Sequence, residues 1–255
     1  VYFSGGTSNL TFTKTHGDQQ SALRVFGAGA RALDEAKAEA EFLRTCYSEE
    51  CDVAVIETGE EELAIVDMTF LTPALPNPAD VWALQERYQS HIATANLSTL
   101  FDRDRDIAVF VNGARLAIGQ LTSGALLPDD VGDRANSLFD ELSDYLDRTP
   151  RVPCHGDLSP RNILQNADGR FVAIDWEDRF WGVNDYDFLY WLTFMNNSSH
   201  LNRESLQISR HPRNISVAIL TMIVIVKESV SLKAAVPRED RVSPAARLHT
   251  VLELL

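Results

Sequence analysis

The sequence predicts an α+β chain in two lobes, a small antiparallel sheet with one helix followed by a mainly helical body. Three features carry that reading. Residues 1–70 alternate apolar and polar positions around a single segment of helical period. The proline-rich stretch LTPALPNPAD (71–80) then interrupts the pattern. Beyond it the apolar spacing is helical, except where VPCHGDLSPRNIL (152–164) and VAIDWE (172–177) set polar side chains densely between short apolar runs. A chain of 255 residues is long enough to bury two cores.

The elements follow in order. NLTFTKTH (9–16) and SALRVFG (21–27) alternate on either side of GDQQ (17–20), a hairpin signal. LDEAKAEAEFLRTCY (33–47) sets Leu33, Ala36, Ala40 and Leu43 on one helical face. CDVAVIET (51–58) and ELAIVDM (62–68) read as two strands joined by the acidic turn GEEE (59–62). The lobe boundary is placed after this β-β-α-β-β unit, giving a first lobe over 1–70 and a second over 71–255. Helices are expected at 79–95, 129–147, 187–196, 214–235 and 243–254, with two short strands flanking the turn NADG (166–169). FDRDRD (101–106) reads as a solvated loop or helix start.

Composition excludes several classes. With 23 basic against 37 acidic residues, the net charge of −14 is wrong for a chain that must neutralise phosphates of nucleic acid. The same charge attracts small cations. Cys46, Cys51 and Cys154 form neither a disulfide framework nor a zinc spacing. ISVAILTMIVIV (215–226) is too short to span a bilayer and reads as a buried helix. No membrane association is expected, and the cytoplasm is the expected compartment. The chain opens on Val1 rather than Met, so native residues are expected beyond its ends.

The chemistry concentrates in H-G-D-x-x-x-x-N followed by A-I-D-W-E. Asp157, Asn162 and Asp175 supply two carboxylates and an amide oxygen, a hard donor set suited to Mg²⁺, which keeps its waters and binds phosphates. Order and spacing match the kinase layout of a loop Asp, an Asn five residues later and a further metal-binding Asp. The first lobe should then hold a nucleotide. FSGGTSN (3–9) offers Gly5, Gly6, Thr7, Ser8 and Asn9 as a turn over phosphates. Arg24 sits mid-strand where a kinase has its phosphate-pairing lysine, and a cation inside an apolar strand needs a partner. Glu39 is the expected one, with Glu35 and Glu41 as alternatives. Asp67 and Met68 end the last strand where an adenine-binding hinge would sit. No G-x-x-x-x-G-K-[ST] is present, which argues against a P-loop hydrolase.

CHGDLSPRNIL…VAIDWE resembles the aminoglycoside phosphotransferase and choline kinase superfamily, kinase-like enzymes whose members run H-G-D-L-x-P-x-N-I-L, I-D-W-E and G-D-P-x-x-D-L. The third element stands here as GVNDYDF (182–188), with Val183 and Asn184 in place of Asp-Pro and Asp187 on the final Asp, which braces the catalytic loop. SGGTSN and LRVFG resemble the choline/ethanolamine branch, whereas H-G-D leans to the aminoglycoside side. The likeness covers most of 3–191. It implies a two-lobed protein-kinase-like fold that moves the γ-phosphate of ATP or GTP to a hydroxyl of a small cationic molecule. Asp157 would orient the acceptor, and Asn162 and Asp175 would hold Mg²⁺. Arg24, held by Glu39, would meet the α- and β-phosphates, and His155 would brace the loop.

For the acceptor, DWEDRFWGVNDYDFLYW (175–191) interleaves aromatic rings and acids, and Glu177, Trp181 and Asp185 are its expected ligands. Trp181, Tyr186, Phe188 and Trp191 would equally serve as core. Choline, ethanolamine, an aminoglycoside and a peptide antibiotic all fit. Monomer and homodimer are both compatible with the sequence. The alternative function is a catalytically inactive, kinase-shaped protein that binds a nucleotide or ligand.

Overall fold

The computed structural model describes residues 2–3, 10–16, 19–59, 61–233 and 242–255. A five-stranded antiparallel sheet opens the chain, built from β1 (Tyr2–Phe3), β2 (Leu10–His16), β3 (Gln19–Ala28), β4 (Cys51–Thr58) and β5 (Glu61–Thr69), in the order β1-β2-β3-β5-β4. Between β3 and β4 runs α1 (Ala30–Tyr47), the single helix expected there. It buries Ala36, Ala40 and Leu43 as its spacing predicts, and with them Phe42 and Glu39. Register pairs Arg24 of β3 with Val66 of β5, and a shift between Val25 and Ala28 bends the strand before α1 begins.

The proline-rich stretch leads through β6 (Thr72–Pro73) into α2 (Pro78–Thr94). Asn77 caps α2, its side chain accepting from the N–H groups of Ala79 and Asp80, while Asp80 returns the favour to the Asn77 N–H. Pro78 at the first helical position adds no lost donor. Next come α3 (Ile107–Ser123) and α4 (Asp129–Leu146). Asp129 and Asp130 suit the positive end of α4. The polar block forms β7 (Val152–Cys154), β8 (Ile163–Gln165), β9 (Phe171–Ala173) and β10 (Phe180–Gly182). After it come α5 (Tyr186–Leu192), α6 (Arg203–Leu206), α7 (Arg213–Lys233) and α8 (Pro244–Leu252).

The chain is thus a two-lobed α+β fold, sheet-rich with one helix at its start and mostly helical later. Two compact units can be traced, one of 1–101 with 155–179 and the other of 102–154 with 180–255. The first holds the large sheet, α1, α2 and the small sheet β6-β8-β9. The second is organised on α7, which packs against α3, α4, α5 and α8. By length and composition alone Arg213–Ser231 could cross a membrane, but 72% of it is buried inside the fold, as the sequence leads one to expect.

One long helix differs from expectation. The sequence assigned nothing to residues 107–123, which form α3. Gly113, Gly119 and the β-branched Ile107, Val109 and Val111 lower its intrinsic helicity, so tertiary packing must supply the rest. Its start was marked by Asp106, the last residue of FDRDRD, whose side chain caps the N–H of Ala108. The predicted helix over 187–196 is shorter than expected, ending at Leu192.

Candidate active site

The site is built on the β8–β9 hairpin. Asn166 shapes its turn, the side-chain oxygen accepting from the N–H groups of Asp168 and Arg170. The ladder pairs Ile163 with Ala173 and continues past the strand ends, where the Ile174 N–H donates to the Asn162 carbonyl at 3.0 Å. Asn162 and Asp175 therefore leave the same end of the hairpin. Asn162 is buried, and its Nδ2 donates to the Asp157 carbonyl at 2.8 Å and to the Asp157 carboxylate at 3.0 Å. The three polar residues of the motif are brought together inside one unit.

His155 fixes the loop from beneath. It is fully buried, its Nε2 lies 2.8 Å from the Ile174 carbonyl, and its Nδ1 accepts from the Asp157 N–H at 3.3 Å. A carbonyl partner requires a proton on Nε2, so the ring is the Nε2–H tautomer and both nitrogens serve the loop. Trp176 underlies the same turn. Its ring stacks on Phe42 at 4.3 Å, meets Tyr88 edge-on at 5.0 Å and lies 4.6 Å from the His155 ring, while its Nε1 donates to Ala173.

The Arg24 guanidinium is a fork between two carboxylates. Nη1 donates to Glu39 at 2.9 Å, and Nη2 donates to Asp175. Arg24 and Glu39 are both buried. Burial alone would lower the Arg24 pKa, but Glu39 and Asp175, with Glu177 beyond them, more than offset it and hold the cation. Glu39 has a second task. Its two carboxylate oxygens also accept the N–H groups of Asp175 and Trp176, each at 2.9 Å. Those bonds hold Asp175 at φ 72°, a left-handed conformation that a non-glycine residue rarely adopts. Of the alternatives to Glu39, Glu35 instead pairs with Arg179, and Glu41 accepts from Thr45.

Gly156 is the one position in the loop where glycine is compulsory. Its φ is +88°, and a Cβ there would lie 2.0 Å from the Asp178 carbonyl oxygen. Gly156→Ala should therefore cost at least about 2 kcal/mol of stability, from overpacking against backbone and from positive φ together. Chemical denaturation of the two proteins checks this, and an unchanged midpoint would contradict it.

The remaining predicted residues are dispersed. In the second unit Asp185, at φ 60°, is fully buried, and its carboxylate accepts from the Arg210 side chain at 2.7 Å, the Arg210 N–H at 2.6 Å and the Ser209 hydroxyl at 3.3 Å. Asp187 is also fully buried, in the first turn of α5. Burial pushes the Cys154 thiol well up, and the Asp187 charge adds to that push. Trp181 is half-buried, and its backbone N–H donates to the Arg105 carbonyl. Tyr186, Phe188 and Trp191 are core. In the first unit Asp67 accepts from Lys14 at 2.8 Å, which lowers its pKa, and Met68 is buried. Glu177 is half-buried. Gly5, Gly6, Thr7, Ser8 and Asn9 lie outside the described residues.

Other groups near these were not foreseen. Lys227 sits over two aromatic faces, 3.5 Å from the Tyr190 centroid and 3.6 Å from that of Phe194, and donates to Thr193 at 2.8 Å. His211 supports the variant turn, with its Nε2 on the Asn184 carbonyl and its Nδ1 on the Tyr145 hydroxyl. Burial lowers the His211 pKa, with the Asn184 carbonyl partly opposing. A depressed pKa means the unfolded chain takes the proton first, so this stability contribution is complete above about pH 6.5 and declines as pH falls below it. His211→Gln should flatten the fall in Tm between about pH 7.5 and about pH 5.5. An equally steep fall would contradict the assignment.

The donor set fits a hard divalent cation. With Nδ2 turned to Asp157, the Asn162 amide keeps its oxygen as an acceptor, and Asp175 keeps a second carboxylate oxygen beside the one that Arg24 holds. Among the described residues no group of three or more His, Cys, Asp or Glu side chains forms a closed metal cage. Mg²⁺ uses one or two protein oxygen donors of this kind and completes its shell with waters and substrate phosphate oxygens.

A family model described as the phosphotransferase enzyme family matches residues 1–211. No curated protein matches the chain. Among solved structures, a point mutant of aminoglycoside 2′-phosphotransferase-IIIa in complex with GDP aligns with TM-score 0.62 and 16% identity, over 99% of this chain and 88% of that one. Spectinomycin phosphotransferase APH(9)-Ia, in complex with ADP and spectinomycin, aligns with TM-score 0.60 and 10% identity, over 100% of this chain and 87% of that one. A choline/ethanolamine kinase family protein from Mesorhizobium loti aligns with TM-score 0.59 and 20% identity, over 98% and 86%.

Proposed function

This chain belongs to the phosphotransferase enzyme family, and we propose that it transfers the γ-phosphate of ATP or GTP, with Mg²⁺, to a hydroxyl of a small cationic molecule. One observation carries the proposal. Asp157, Asn162 and Asp175 converge on one end of a hairpin whose backbone is keyed to the Arg24–Glu39 pair. A structural turn would have no use for a left-handed Asp held by a buried carboxylate, or for three hard oxygen donors at one end of a hairpin.

Asp157 is the catalytic residue in this reading. It orients the acceptor hydroxyl and takes its proton as the oxygen attacks the γ-phosphorus and the bond to the β-phosphate oxygen breaks. Asn162 and Asp175 would hold Mg²⁺, which supplies charge neutralisation when bound. Arg24 supplies positive charge for the phosphates, and His155 keeps Asp157 in place. Catalysis of this kind is chiefly positioning and electrostatics, so the rigidity of the loop matters as much as its acids.

For the acceptor, the charge of −14 favours a cation, and the aligned structures include a spectinomycin phosphotransferase and a choline/ethanolamine kinase family protein. Of the three expected acceptor ligands, Asp185 is best read as an anchor, since Arg210 and Ser209 already bind its carboxylate. Glu177 and Trp181 remain the proposed ligands. The experiment is Mg²⁺-dependent transfer of label from ATP and from GTP to choline, ethanolamine, homoserine, several aminoglycosides and cyclic-peptide antibiotics. Transfer to cationic acceptors supports the proposal, and transfer only to a neutral or anionic alcohol overturns the acceptor class.

A further inference from the structure

We propose that Arg24 is a latch on Asp175, which makes metal binding at this site wait for the nucleotide. The inference rests on the phosphotransferase reading and concerns the regulation of the same site.

In the structure, the guanidinium fork spans Glu39 and Asp175, and it binds one carboxylate with each terminal nitrogen. Glu39 is fixed by three separate donors, the Arg24 side chain and the N–H groups of Asp175 and Trp176. The Arg24 head is therefore tethered on its Glu39 side, and Asp175 is the partner it can release. Asp175 is also the more exposed of the two, with 21% of its side chain accessible against 1% for Glu39.

A divalent cation arriving alone meets an Asp175 carboxylate with one oxygen already held by this fork. Coulomb repulsion by the guanidinium, and the negative charge it neutralises on the carboxylate, both oppose binding at the remaining oxygen. A triphosphate changes the balance, because its oxygens offer Arg24 another anionic partner as Asp175 is given up. Nucleotide and metal are thus coupled, each raising the affinity for the other. Lysine in this position could not act the same way. Its compact ammonium carries three donors on a flexible stem, without the rigid planar fork with which Arg24 reaches both carboxylates.

That difference gives a test in which formal charge is constant. Binding of Mn²⁺ to nucleotide-free protein, followed by electron paramagnetic resonance, is compared for wild type and Arg24→Lys. The latch predicts that Arg24→Lys binds free Mn²⁺ about tenfold more tightly, whereas an effect of charge alone predicts no change. Metal-free ATP, measured by calorimetry in EDTA, should bind wild type measurably. Arg24→Met is the second variant, with far-ultraviolet circular dichroism to verify folding. It should reverse the order, binding Mn²⁺ alone and losing metal-free ATP. Equal free-Mn²⁺ affinity in wild type and Arg24→Lys overturns the latch while leaving the phosphotransferase reading intact, provided Mg·ATP still binds. Absence of Mn²⁺ and nucleotide binding in every combination overturns both.

Discussion

Asp157→Asn should reduce phosphoryl transfer by about 10²–10⁴-fold while leaving Mg·ATP affinity within a few-fold of wild type. Asparagine preserves shape and can still meet the Asn162 side chain, which reaches Asp157 through both its carbonyl and its carboxylate. What it removes is the charge that orients and deprotonates the acceptor hydroxyl. The nucleotide-facing groups of the proposal are Arg24, Asn162 and Asp175, and none of them is changed. The expected signature is a fall in kcat with little change in the nucleotide KM. A parallel loss of nucleotide affinity would mean that Asp157 belongs to the metal set instead.

Glu39→Gln should be the most destabilising single change in the first unit. Glu39 is buried and accepts from Arg24, the Asp175 N–H and the Trp176 N–H. Glutamine keeps one acceptor oxygen and puts an NH₂ group against donors. It also withdraws the first of the three carboxylates that keep the buried Arg24 charged. Breaking a buried ion pair on one side costs about 3–5 kcal/mol, enough to lower Tm by on the order of 10 °C in a chain of this size. The loss should exceed that of Glu35→Gln, whose partner is Arg179. Differential scanning calorimetry of the two variants makes the comparison, and equal losses would contradict the role given to Glu39. Because the same carboxylate sets the Asp175 backbone, nucleotide-dependent Mg²⁺ binding should weaken in parallel.

Much of this fold could be read from residue pattern. The strands around α1 show period-two alternation, α2 shows helical spacing directly after the proline-rich stretch, and α7 its unbroken apolar run. The polar block was legible because Asp157, Asn162 and Asp175 stand at fixed local spacing, and a hairpin brings such positions together without long-range information. The bracing role expected of His155 comes from the family resemblance, and its two ring nitrogens meet the Ile174 carbonyl and the Asp157 N–H.

What escaped depends on contacts distant in sequence. Glu39 is the partner the sequence leads one to expect for Arg24, but its bonds to the Asp175 and Trp176 backbone cross more than a hundred residues, and no local pattern encodes them. Asp185 stands among aromatic residues in the sequence, and its partner Arg210 lies 25 residues later, beyond any local pattern. Lys227 over Tyr190 and Phe194 shows the same limit, since the rings were visible in sequence and the cation that meets them was not. The α3 helix was missed for a different reason: glycines and β-branched residues conceal a helix that packing against α7 sustains.

The most direct test is transfer of γ-phosphate from ATP in the presence and absence of Mg²⁺, by wild type and by Asp157→Asn, Asn162→Ala and Asp175→Asn. The account predicts that wild type transfers label only with the metal. It also predicts that all three variants lose transfer, and that the Asn162 and Asp175 variants alone need more Mg²⁺ to bind nucleotide. Near wild-type transfer by any of the three, or transfer by wild type without a divalent cation, would contradict it.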